Sequence, residues 1–367
     1  MKKYLLLLAL LILYNDLLYN YGNVILRPNK KGIISLIFVG DVMGHSPQYH
    51  AAFNPVTKSY NYNICFQYVK SYVGKADLAV ANLEAPIAGE PYSGFPNFSS
   101  PDELLDALKN TGFDILLTAN NHILDRGKNG LERTIQQIEK RKLYHLGSYI
   151  DKNQRDSIYP LIIKSHGIKL AFLNCTYGTN SIKALKPNWI NYIDTVEINA
   201  DIEKANKLGV DLKIMTIHWG AENELKANKF QQSLAKYLVN HGIDLIVGSH
   251  PHVIQNAEIM RNRDGKQVPV FYSLGNFISN QRNPNNKGGL MIKVDINAVT
   301  KHVTNILCLP VYVHRGRLNG SFQFHLIPTT DFIEKPSSFG LNGSDSTSLV
   351  DFDTKTRNRL SNIKLIQ

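Results

Sequence analysis

His250 and His252 stand one residue apart, directly after the apolar run Leu245-Ile246-Val247 and the pair Gly248-Ser249. A short β-branched run of this kind reads as a buried strand. Pro251 has no N–H to donate and biases His250 toward extended geometry. In an extended segment residues i and i+2 project to one side. Both rings are therefore expected to face one point beyond the strand's carboxyl end, where open α/β sheets place their ligands. Two neutral imidazoles at such an edge suit zinc, manganese or iron. In isolation, solvated histidines on a polar turn would read the same way. Other apolar runs break the tie, because they stop in the same class of residue. Residues 33–39 lead to Asp41, 78–81 to Glu84, 114–118 to Asn121 and His122, and 212–217 to His218.

The set Asp41, Glu84, Asn121, His218, His250 and His252 mixes nitrogen and oxygen donors. Such a mixture fits borderline divalent ions and not Ca²⁺, which takes all-oxygen shells. A carboxylate flanked by imidazoles can bridge two ions about 3.5–4 Å apart, lower the pKa of a shared water and hold the oxygens of an in-line phosphoryl displacement. His122, beside Asn121, could instead protonate a leaving group. Six more residues are expected in a cleft or against substrate: Asp125, Tyr177, Asn180, Trp219, Glu222 and Asn276. Each has a plainer reading. Asp125 would hold its loop through backbone hydrogen bonds, Trp219 would be core, and Asn276 after Gly275 would be a turn residue. Asp41 after Gly40 would cap a helix. His45, His50, His145, His166, His241, His302, His314 and His325 lack such context and read as surface or core histidines.

Amphipathic helices are expected between these strands. Leu104, Leu105 and Leu108 share a face behind Pro101, and so do Leu131, Ile135 and Ile138, and Phe230, Leu234 and Leu238. Strands alternating with helices predict an α/β fold, a sheet layered between helices. Runs at 290–296 and 303–313 suggest an antiparallel finish. From Arg315 the pattern decays into a Ser/Asn/Thr/Asp-rich stretch, so 315–367 is expected as a tail or extension outside the fixed core.

The 367 residues are 43% hydrophobic and 19% charged, enough for a sizeable core, and the formal net charge is +11. That charge suits a polyanionic partner: a polymer, an anionic lipid surface or a nucleic acid. Met1-Lys2-Lys3 followed by a leucine-rich run to Tyr14 has the form of a secretory n-region and h-region. The run is shorter than the ~20 apolar residues of a comfortable span. Residues 1–22 are read as a signal peptide or signal anchor. Cys65, Cys175 and Cys308 form no Cys-x-x-Cys, which excludes a thiolate zinc site and a thioredoxin-like motif, and they read as buried apolar residues. No glycine-rich phosphate loop is present.

Seven stretches carry a family resemblance: Val39-Gly40-Asp41-Val42-Met43, Asn82-Leu83-Glu84-Ala85-Pro86, Ala119-Asn120-Asn121-His122 with Asp125 and Gly127, Thr176-Tyr177-Gly178-Thr179-Asn180, His218-Trp219-Gly220 with Glu222, Gly248-Ser249-His250-Pro251-His252, and Ser273-Leu274-Gly275-Asn276-Phe277. Together they resemble the CapA-like proteins of capsule and poly-γ-glutamate synthesis, which look like the calcineurin-type metallophosphoesterase superfamily. The resemblance implies a four-layer α/β/β/α sandwich spanning about residues 30–314. It implies one metal held by Asp41, Glu84 and His252 and a second by Glu84, Asn121, His218 and His250, with His122 as the acid. One or two ions of Mn, Zn or Fe are expected. The superfamily usually opens Asp-x-His, and here Met43 takes the histidine's place; a thioether is a poor ligand for hard ions, so the first site is expected to be weak or empty. Glu84 also stands where the superfamily normally has Asp, and its longer arm shifts the bridge. The implied role is synthesis or export of an anionic cell-surface polymer, poly-γ-glutamate or capsule, at the cell surface or periplasm. Membrane-bound polymer synthesis or export proteins would be its partners, and no nucleic acid is expected. An extracytoplasmic dinuclear-metal phosphoesterase and a non-catalytic polymer-binding subunit remain alternatives on the same fold.

Overall fold

A computed structural model describes residues 32–318, 321–361 and 363; the expected leader at 1–22 lies outside the described residues. The strand Ile33–Val42 is the axis of the first sheet. Nine of its ten residues are buried, as a strand covered on both faces requires. It pairs parallel with Leu78–Leu83 on one side and antiparallel with Gly288–Asn297 on the other. The eight-stranded sheet runs Ser321–Pro328, His302–Leu318, Gly288–Asn297, Ile33–Val42, Leu78–Leu83, Ile115–Leu117, Tyr144–Leu146, with Asn276–Ile278 beside the end of Ile33–Val42. A six-stranded sheet runs Ala257–Arg261, Gln267–Phe271, Leu245–Ser249, Leu212–His218, Ile168–Thr176, Leu161–Ser165.

Alternation along the axial strand separates two cores. Ile34, Leu36 and Phe38 enter the apolar cluster shared with the second sheet, and Phe38 meets Phe172 with ring centroids 6.5 Å apart. Ile37 and Val39 point the other way, onto Leu104, Leu105 and Leu108 of the helix Glu103–Thr111. The helices Thr195–Lys207 and Lys229–Asn240 bring Ile198, Ile202, Leu234 and Leu238 to the second sheet. Two sheets face to face with helices outside form the α/β/β/α sandwich expected from the sequence. Cys65, Cys175 and Cys308 are free and buried. No helix among the described residues is long and apolar enough to cross a membrane.

The expectation for the C-terminal stretch is corrected. Arg315 lies inside the strand His302–Leu318, which pairs with Ser321–Pro328 at the sheet edge. Phe324, Leu326 and Ile327 are buried there, and the helix Gly343–Arg359 buries Leu349 and Phe352. The polar composition belongs to the outer faces of these elements, and a few apolar residues at the contact positions suffice to dock them.

His314 and His325 are cross-strand partners in this edge pair, both buried, with ring centroids 6.0 Å apart. Among the described residues, neither nitrogen of His325 and not Nε2 of His314 has a hydrogen-bond partner. Burial, and then the neighbouring His314, holds the His325 imidazole down to about 4. The unfolded chain takes up a proton here below about pH 6.5 that the folded chain refuses, so stability falls as pH drops from about 6.5 toward 4 and is unaffected above that window. His325→Phe should flatten this acid limb and stabilise the protein at neutral pH, because two unpaired nitrogens leave an apolar site. Urea midpoints at pH 7.5 and pH 5 measure the slope; one equal to wild type would contradict the assignment.

Candidate metal centre

The two sheets bring their strand ends to one place. In the first sheet Asp41 is opposite Asn82 and Asn276 in register, and in the second His218 is opposite Ser249. The backbones crowd at this junction. Asp41 N–H donates to Gly275 O at 2.9 Å, and a Cβ on Gly40 would lie 1.8 Å from that same oxygen. Gly40→Ala should therefore destabilise the fold by about 1–3 kcal/mol as an overpacked backbone contact; thermal unfolding with an unchanged midpoint would show that the strands can part there.

The histidine loop converges by a route the sequence did not predict. The strand Leu245–Ser249 ends before either ring, and His250 and His252 sit at φ of +99° and +57°. The expected extended conformation at His250 is corrected: both residues adopt backbone that L side chains disfavour, at a cost of order 1–3 kcal/mol each. Their ring centroids are still 6.1 Å apart, and the His218 and His250 centroids are 4.8 Å apart.

Glu84 lies at the centre, fully buried. Its Oε1 has no hydrogen-bond partner and stands 3.6 Å from both His218 Nε2 and His252 Nε2. His252 Nδ1 is 3.0 Å from Asp41 Oδ2, and His218 Nε2 is 2.8 Å from Asn121 Oδ1. Two groups of donor atoms, Asp41–Glu84–His252 and Glu84–His218–His250, each fall within 4.8 Å of one another. Donors bound to one ion at about 2.1 Å sit about 3–3.4 Å apart, so the clusters need only small contractions to close on an ion. The buried, unpartnered Glu84 Oε1 and His250 Nδ1 are the atoms such an ion would satisfy. The residues present fit divalent metal binding.

Electrostatics agree. Burial, followed by the charge of His250, holds the His218 imidazole well below its ordinary range, and burial holds His250 down to about 3. Both rings are kept neutral, the form that ligates metal. Burial and then the neighbouring Asp41 raise the Glu84 carboxyl well above the carboxylate range. The metal-free site thus disfavours the charged carboxylate, and a cation at the site would favour it. His218 Nδ1 is held by Ser249 Oγ at 2.9 Å, which turns Nε2 inward.

His122 stands to one side. Its Nδ1 donates to Asp125 Oδ2 at 2.8 Å, and that oxygen also accepts from Phe98 N–H at 2.8 Å. Asp125 thus orients the ring as well as holding its loop, and Nε2 is left for the cleft. Tyr177 lies over His250 with centroids 4.6 Å apart and is half exposed. Asn180 Oδ1 accepts from Asn121 Nδ2. Glu222 is exposed, near enough for its charge to reach Glu84.

Two expected cleft residues have structural roles instead. Trp219 is fully buried, stacked on Tyr272 and donating to Tyr272 O at 2.8 Å, so it is core. Strand alternation sends it to the face opposite His218. Asn276 acts on backbone, its Nδ2 donating to His252 O and Asn286 O. Met43 packs with Ala85 and Phe98 in a small apolar cluster.

Sequence reasoning missed two residues. Asn82 Nδ2 donates to Asp41 Oδ1 at 2.8 Å and to Glu84 Oε2 at 3.2 Å, tying the two carboxyl groups together. Its signal was the i, i+2 spacing to Glu84. His45 comes close enough for the charges of His252 and His122 to reach it, and it shares the Phe98 ring edge-on with His122. Nothing in strand periodicity marks His45.

The bacterial capsule synthesis protein family (PGA_cap) matches residues 35–281. The capsule biosynthesis protein CapA of Bacillus anthracis is 29% identical over 272 residues, covering 70% of this chain and 61% of that protein. The PGA biosynthesis protein CapA of Bacillus subtilis (strain 168) is 29% identical over 263 residues, covering 68% of this chain and 64% of that protein. This chain thus spans less than two thirds of the length of either relative. Among solved structures, a phosphatase from Mycoplasma pneumoniae superposes with a TM-score of 0.45 at 16% identity over 76% of this chain and 94% of that one. The NAD nucleotidase of Haemophilus influenzae gives 0.46 at 14% identity over 91% and 57%.

Proposed function

This chain belongs to the bacterial capsule synthesis protein family, and from that premise we propose that it serves the synthesis or export of an anionic surface polymer, poly-γ-glutamate or capsule, as an exported metal-dependent hydrolase. The observation that supports this reading most is Glu84 Oε1, buried, unpartnered and equidistant at 3.6 Å from imidazoles of both donor groups. In this reading Asp41, Glu84 and His252 hold one divalent ion, and Glu84, Asn121, His218 and His250 hold the other. Bound there, ions of Mn, Zn or Fe type would lower the pKa of a water and provide Lewis acidity toward the scissile group. The chain's own residues do the rest. His122, oriented by Asp125, passes a proton from Nε2 to the departing oxygen or nitrogen. Tyr177, Asn180 and Glu222 border the mouth where an extended substrate would lie.

The formal charge of +11 favours a polyanion at the surface. Membrane-bound synthesis or export proteins are the expected partners, and the leader at 1–22 would bring the chain to them. The test is complementation in a capsulated host lacking its own copy: the wild-type gene restores polymer of normal amount and length, and His250→Ala does not. Restoration by the His250→Ala chain would remove the metal centre from the function; surface polymer unchanged by the deletion itself would remove the role.

A further inference from the structure

The His250–His252 turn and the two residues after it are held by four carbonyl contacts that come from three different parts of the chain. Pro251 O accepts from Asn223 N–H at 2.8 Å, His252 O from Asn276 Nδ2 at 3.3 Å, and Val253 O from Ser273 Oγ at 2.7 Å. The fourth, Ile254 O, accepts from Arg359 Nη1 at 2.6 Å. Arg359 is the last residue of the helix Gly343–Arg359, far beyond residues 35–281 where the family match ends. No carboxylate partners this guanidinium among the described residues, and burial alone depresses it. A cation half-withdrawn from water and spent on a single carbonyl is costly unless that carbonyl matters.

A turn with two residues at positive φ persists only when its surroundings over-determine it. Three of the four clamps belong to the family-matched region, and the fourth does not. We propose that Arg359 is a positioning residue for the metal centre: the C-terminal helix reaches back to lock the strained turn so that His252 meets Asp41 and Glu84. His252 is the one imidazole in the group Asp41–Glu84–His252, so its placement bears directly on the affinity of that site. The inference rests on the metal reading above.

The test uses the full chain, stripped with chelator and titrated with Mn²⁺ alone. Arg359→Met should weaken one of two ions by about 10–100-fold, the range for loss of a group that orients a ligand, and Arg359→Lys should recover part of it. Arg357→Ala is the control. Arg357, on the same helix as Arg359, bonds Asp353 of that helix and Thr330 of the helix Thr329–Glu334 without touching the turn, so its loss loosens helix docking and leaves both ions bound as in wild type. Equal losses in Arg357→Ala and Arg359→Met would reduce Arg359 to a structural prop, and wild-type binding by Arg359→Met would overturn the proposal. A wild-type chain that takes up no Mn²⁺ sinks the metal reading, and hydrogen exchange of residues 250–256 then decides the inference by itself. Arg359→Met must speed exchange there and Arg357→Ala must not.

Discussion

Replacing Glu84 by glutamine should strip the protein of both ions while leaving it folded. Every other donor serves one cluster, Asp41 and His252 the first, His218 and His250 the second, whereas Glu84 is common to the two. His252→Ala is therefore expected to cost one ion, His218→Ala the other, and Glu84→Gln both. Loss of a direct ligand should exceed the ~100-fold seen for groups that merely orient ligands. Glutamine is a mild change in the metal-free chain, because burial and the neighbouring Asp41 already disfavour the charged form of Glu84 and an amide nearly matches a carboxyl group in shape. With chelator present, the unfolding midpoint of the variant should equal that of wild type. With Mn²⁺ at a hundred times the dissociation constant of each site, wild type should gain about 2.7 kcal/mol per ion bound and the variant nothing. Metal analysis after dialysis, read beside thermal unfolding, checks both halves. One ion retained by Glu84→Gln would mean that the carboxylate does not bridge. Because the ligating form of Glu84 and of the histidines is the deprotonated one, uptake should strengthen as pH rises.

Much of the centre is legible in the sequence because strands impose a period of two and end where their polar residues begin. Asp41, Glu84, Asn121, His218, His250 and His252 need no knowledge of the other sheet to be picked out; each lies at or just past the end of an apolar run. The same period explains Trp219, which follows His218 and must turn to the opposite face, and Asn82, which precedes Glu84 by two and shares its face. What stayed hidden depends on contacts between distant segments. Pro251 sets a local preference for extended geometry at His250, and carbonyl clamps from residues 223, 273, 276 and 359 override it. The C-terminal stretch shows no period because its apolar residues answer to surfaces already built by the rest of the chain, as where Phe352 lies against Gly288. Met43 is half legible. Its thioether announces a missing ligand, but only packing reveals that it supports Phe98, whose backbone in turn holds Asp125.

His122→Ala and Asp125→Asn should separate proton transfer from metal binding. Neither residue contributes to the two donor clusters, so both variants are expected to carry the wild-type complement of ions. The His122–Asp125 pair is 2.8 Å long and nearly buried, and the second contact on Asp125 Oδ2, from Phe98 N–H, leaves the carboxylate no freedom to swing away. That arrangement fixes Nδ1 as the protonated nitrogen in the neutral ring and aims the other at the cleft. Removing the imidazole should slow cleavage of a substrate with a poor, alkoxide-like leaving group by about 10²–10⁴-fold, the span of general acid catalysis. A nitrophenyl ester, whose leaving group departs without a proton, should be nearly indifferent. Asp125→Asn should fall between, since the amide can still orient the ring through its oxygen but no longer stabilises a charged imidazolium. The ratio of rates for the two ester types in each variant is the measurement. Equal losses on both would place His122 in substrate binding, and lost metal would place it in the centre itself.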